Sequence, residues 1–206
     1  MGLFSYLSQP LLFLVAFAAA AFGLVLHNLA QAWLADRYGD PTPRRYGFLT
    51  LDPKVHLDPI GLLFLLLLGF GWPRFVPFRL YGKKEALVAL MGPLGFFAAA
   101  FVYLLLARLL PTGMGLLPIA QGFELAGFLM VGHAVIYLFP IPPLDGARVA
   151  RALGGPEVRR LLAQIESWGP VGFILIFLVL SYTGVLTALE RGVYGFIAKL
   201  LAILGL

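Results

Sequence analysis

Residues 11 to 35, "LLFLVAFAAAAFGLVLHNLAQAWLA", run for twenty-five positions without one Asp, Glu, Lys or Arg. As a helix that stretch rises about 37 Å, more than the roughly 30 Å hydrocarbon core of a bilayer. A chain of 206 residues has no soluble core large enough to hide such a helix on every side, so lipid is the natural solvent for it. The composition agrees: 61% of residues are hydrophobic and 12% charged, with mean hydropathy +0.93. Soluble domains hold about 45–50% apolar and about 25% charged residues. No polar block is long enough for a separate soluble domain, and residues 1–206 read as one membrane domain. Cysteine is absent, which excludes disulfides and thiolate metal sites. The net charge of +5 is scattered between apolar runs, which fits membrane topology and excludes nucleic acid as the expected partner. The N-terminus lacks a basic n-region, so the first run is expected to be a retained helix and not a cleaved signal.

Further runs at about 86–110, 116–139 and 170–189 are long enough to cross, predicting four spanning helices. The run 59–72 is too short to cross as a straight helix. Charge decides its path: Arg37, Arg44, Arg45 and Lys54 precede it, and Arg74, Arg79, Lys83 and Lys84 follow it. A crossing would put the two clusters on opposite sides, against the positive-inside rule, so a re-entrant segment is expected. Both clusters, with Arg148, Arg151, Arg159 and Arg160, then face the cytoplasm. Alternation in "RRYGFLTL" predicts a short strand-like hairpin, and 145–166 an interfacial helix. Residues 190–206 are too short to place. The predicted class is an all-α integral membrane protein.

Two polar clusters interrupt this pattern. His27 and Gln31 share one face of the first helix, with Asn28 about 100° away. Polar side chains inside a span mark either a site or an inter-helix hydrogen-bond patch. Three prolines in "PIPP" stop a helix at the membrane edge and deliver Asp145 to a fixed place. The plainer role for Asp145 is an N-cap of the helix that follows.

Together the clusters resemble the site-2 proteases, intramembrane zinc metalloproteases with H-E-x-x-H on one helix and L-D-G at the end of a later one. The resemblance extends through the linker "ADRYGDPTPRRYGFLTLDPKVHLDPIG", the segment "ALVALMGPLG" and "PIPPLDGARV", over roughly residues 20 to 152. It implies that His27 and Asp145 stand at metal-ligand positions. The motif here reads "HNLAQ", placing Asn28 where the general base belongs and Gln31 where the second histidine belongs. Phe96 and Tyr137 hold places where the family often carries asparagine.

A carboxamide oxygen is a weak zinc donor, and Asn28 cannot accept a proton near neutral pH, a function worth about 10²–10⁴-fold. Zinc is therefore expected to be weakly bound or absent. His133, seven residues before Pro140, lies at a depth similar to that of His27, nine before Asp36. A rearranged metal site of His27, His133 and Asp145, with Gln31 as hydrogen-bond partner, is one reading; His133 bonding a neighbouring helix is the other. His56, in the linker, is expected to be structural or interfacial. Two functions follow: a non-catalytic relative that binds a transmembrane segment of a client protein within membrane lipid, or an active intramembrane metallopeptidase with an atypical site. Transporters are disfavoured, because neither paired intramembrane charges nor inverted repeats are present.

Overall fold

Pro10, placed in the first turn where its missing N–H costs nothing, opens α1 (Pro10–Arg37). The computed structural model describes residues 2–111, 113 and 115–205. Two short helical turns, α2 (Thr42–Arg45) and α3 (Pro53–His56), precede α4 (Pro59–Leu68). Then come α5 (Gly82–Leu109) and α6 (Leu117–Tyr137), followed by α7 (Asp145–Leu153), α8 (Pro156–Ser167), α9 (Gly169–Tyr182) and α10 (Val185–Ile203).

The protein is an all-α membrane protein. α1, α5 and α6 are each long and apolar enough to cross a bilayer, and α9 with α10 makes a bent pair that passes the same test. The three long helices pack against one another around Ala16, Ala20, Leu24, Phe96, Ala100, Ala126 and Met130, all buried. In lipid, helices associate through close packing, which small residues permit. Gly95 illustrates this: a Cβ there would stand 3.0 Å from the Cα of His27, so α5 can press against α1 only where it has no side chain.

The short apolar run enters and returns. Asp58 caps α4 by accepting from Gly61 N–H at 2.8 Å, and Gly69 ends it in the left-handed region with φ of 76°. The chain then comes back until Leu57 and Pro73 form an antiparallel bridge and Arg74 N–H donates to the His56 carbonyl at 2.6 Å. Both ends of the excursion therefore lie side by side.

Three expectations need correction. Residues 44–51 form no strand: 42–45 is a helical turn, because Asp40 accepts from both the Thr42 N–H and hydroxyl and starts it. Among the described residues the Leu57–Pro73 bridge stands alone as β pairing. The expected single helix over 170–189 is broken; Gly184, with φ of 74°, ends α9, and α10 leaves at 70° to it. Residues 190–203, left unplaced by length alone, belong to α10, which runs to Ile203 and buries Ile197 and Leu201 against the core. The expected interfacial helix of 145–166 is two helices, parted at Gly154 and Gly155.

Candidate functional site

Pro93 lies inside α5 and has no N–H to give to the carbonyl four residues back. That carbonyl belongs to Ala89, and it accepts instead from Gln31 Nε2 of α1 at 3.2 Å. The second hydrogen of the same nitrogen goes to Asp145 Oδ1 at 2.8 Å. Asp145 is the first residue of α7, brought there by the proline run, and its other oxygen lies 2.7 Å from His27 Nε2. His27 Nδ1 donates to Asn28 Oδ1 at 2.9 Å, and Asn28 Nδ2 donates to the Arg74 carbonyl at 2.8 Å. The last bond fixes which end of the Asn28 amide is oxygen, and so fixes the proton on His27 Nδ1.

Four side chains that the sequence singled out, His27, Asn28, Gln31 and Asp145, therefore form one buried network joining α1, α5 and α7. With Nδ1–H already donated, the His27–Asp145 contact holds one further proton, on the imidazole or on the carboxyl. Asp145 is not a side-chain N-cap: the cap position is Leu144, and the carboxylate points across to α1. Gly92 makes room for the group, since a Cβ there would overlap His27 Nε2, Asp145 Oδ2 and Gln31 Nε2.

His133 does not join this network, which corrects the rearranged metal site. Its Nδ1 donates to the Leu129 carbonyl at 2.7 Å, and its Nε2 accepts from Gly71 N–H at 3.1 Å. The rings of Phe96 and Tyr137 each lie against both His27 and His133. Those two aromatic rings stand as a wall between the imidazoles. His133 thus ties α6 to the returning chain after α4. His56 is structural too: Nε2 donates to the Thr50 carbonyl at 2.8 Å, its ring meets Phe48 edge-on, and burial pulls it below the usual histidine range.

The network opens onto a cavity of about 540 Å³, a size within the range of ligand pockets. Trp72, Phe75, Val76, Pro142 and Leu144 supply much of its wall, with Arg74 and Arg148 among the polar residues.

Thirty-eight per cent of positions are identical to a Bacillus subtilis protein named "Putative zinc metalloprotease YwhC", across 164 residues that cover 74% of each chain. A Mycobacterium tuberculosis protein named "Putative zinc metalloprotease Rip2" is 31% identical over 85% of this chain and 73% of its own. The chain belongs to the site-2 protease family. A Methanocaldococcus jannaschii protein named "Putative zinc metalloprotease MJ0611" is 29% identical over 72% of this chain and 76% of its own. No family model matches the chain, and no solved structure matches it.

Zinc is the metal these relatives' names carry, and the residues present here do not fit it. Two ligands of one tetrahedral zinc, bonded at about 2.0–2.1 Å, lie about 3.3 Å apart. His27 Nε2 and Asp145 Oδ2 are 2.7 Å apart, bonded to each other. Gln31 turns one N–H of its amide toward Asp145, a donor that repels a cation. No group of three His, Cys, Asp or Glu side chains able to hold a metal occurs among the described residues.

Two parts of the site escaped the reading of the sequence. Ala89 takes part through its carbonyl, which the Pro93 position four residues on could have flagged. Arg148 follows Asp145 at helical spacing, yet nothing in the local sequence tells that its partners are Phe75 and Phe78.

Proposed function

We propose that this family member has lost proteolytic chemistry and keeps the cavity as a holding site for a transmembrane segment of a client protein. The closed hydrogen-bond network carries the reading. Both N–H groups of Gln31 Nε2 and both ends of the Asn28 amide are satisfied within it. No carboxylate stands at position 28 to activate water. The membrane is a bacterial inner or plasma membrane, with the motif-bearing loops on its cytoplasmic face; the basic residues of 37–54 and 74–84 support that orientation. The metallopeptidase alternative requires a further ligand, and both nitrogens of His133 are already bonded to backbone.

The deciding experiment sets wild type beside the double variant Asn28→Glu, Gln31→His. Both are purified with zinc available, assayed for metal content and given a membrane-spanning substrate. The wild type is expected to carry well under one zinc per chain and to cleave nothing above background. The double variant should gain both metal and cleavage, since the base alone is worth about 10²–10⁴-fold. Stoichiometric zinc in the wild type, with cleavage lost in His27→Ala, would overturn the reading.

A further inference from the structure

Arg148 is the cation of the cavity that the network leaves unused. It follows Asp145 by three residues on α7, so both side chains rise from one face of that helix. Its guanidinium lies 3.8 Å from the ring centre of Phe78 and 4.5 Å from that of Phe75. Stacking of this kind holds the flat faces of the group and leaves its N–H edge free. None of its five N–H donors meets an acceptor among the described residues.

The carboxylates on the cavity wall are already engaged. Asp145 is held by His27 and Gln31, Asp58 caps α4, and Glu166 pairs with Arg151 at 2.7 Å. Burial pulls the Arg148 guanidinium below its ordinary value, against the pull of Asp145 and Glu85 and with that of Arg151. A partly buried, preorganised fork that opens on a cavity and lacks an acceptor is a site for a planar oxyanion.

We infer that Arg148 recognises a carboxylate, so that the cavity selects client segments carrying Asp or Glu at the membrane-edge end of the held stretch. This inference rests on the holding function proposed above. A segment lying along the network would reach Arg148 one helical turn beyond Asp145, where the span ends and α7 begins. The apolar wall formed by Trp72, Phe75, Val76 and Leu144 suits the hydrophobic residues before that carboxylate. At about 540 Å³ the cavity has room for a short peptide stretch.

The test uses the full chain in phosphatidylcholine nanodiscs and fluorescent membrane-spanning peptides that differ at one juxtamembrane residue, Glu, Gln or Lys. On wild type the Glu peptide is expected to bind about tenfold more tightly than the Gln peptide, the factor a single charge-assisted contact supplies, with Lys weakest. Arg148→Gln should bring the Glu-to-Gln ratio near one, and Arg148→Lys should keep part of it. The peptide comparison on wild type stands even where a variant folds poorly. Equal binding of Glu and Gln peptides by wild type overturns this inference and leaves the holding function intact. Failure of every peptide to bind overturns the holding function and this inference with it. A preference for phosphatidylglycerol over phosphatidylcholine vesicles that Arg148→Gln abolishes, without a Glu-to-Gln difference, assigns the guanidinium to lipid phosphate and also overturns it.

Discussion

At position 31 one nitrogen serves two acceptors on two different helices. Gln31 gives one hydrogen to the carbonyl that Pro93 leaves without its helical partner and the other to Asp145. Gln31→Ala would leave both acceptors without that donor and would also open a cavity, because Gln31 is among the largest fully buried side chains. The expected cost is at least about 2–3 kcal/mol, because an unsatisfied buried acceptor costs roughly 1–3 kcal/mol and a charged one more. Thermal unfolding in detergent measures it, and a change below 0.5 kcal/mol, the scatter of an ordinary surface substitution at about that size, would show that the network carries no weight. His27, Asn28, Gln31 and Asp145 were all legible in the sequence, because a motif at fixed spacing names its members. Their pairing was less so. The expectation of a weakened metal site rested on what a carboxamide cannot do for zinc, whereas the structure turns on what it can do for a backbone carbonyl. His133 was left with two readings for the complementary reason: sequence spacing gives depth along a helix, not the direction in which a ring nitrogen points, and the ring bonds backbone at Leu129 and Gly71.

Elements that are long and uniformly apolar declare themselves, and α1, α5 and α6 begin and end within a few residues of the expected runs 11–35, 86–110 and 116–139. Shorter elements depend on single side chains that hydropathy does not weigh. The predicted hairpin is the clearest case. Its alternation is real, but Asp40 just upstream organises the chain into a turn by accepting from Thr42 and from Arg79 N–H. That carboxylate is buried outside the spans and pins the start of the linker to the segment before α5. Burial alone would raise its titration point; the hydrogen bonds from Arg79 and Thr42 more than offset this and lower it below the usual carboxylate value. A carboxyl depressed in the folded state stabilises that state fully above its unfolded value of about 3.9, and the contribution is lost as pH falls through the folded value. Hydrogen exchange at the Arg79 and Thr42 amides is therefore expected to stay protected down to about pH 4 and to lose protection below it. Asp40→Asn should weaken protection at neutral pH and flatten its acid dependence. Unchanged acid sensitivity in that variant would assign the effect elsewhere.

On the scale of the whole molecule, the return of the chain after α4 decides which loops share a side. Leu57 meets Pro73, so the residues just before and just after this excursion are neighbours in space, and charge bias then puts both on one face. The absence of cysteine makes this accessible to a clean measurement, because any introduced thiol is the only one present. Cysteines at Lys54, Lys83 and Arg160 should react with an impermeant maleimide only when the cytoplasmic face is open, as in inverted vesicles. Gly113→Cys, at an exposed position between α5 and α6, should react in intact spheroplasts, because α5 is long enough to carry the chain across. The pair at positions 54 and 83 is the sharpest of these. If they label from opposite faces, 59–72 crosses the bilayer, α5 runs the other way, and the network of His27 and Asp145 can no longer lie at the end of the membrane where the basic loops gather. If they label together, the cavity opens toward the cytoplasm, and Arg148 meets a client segment at the end that emerges there.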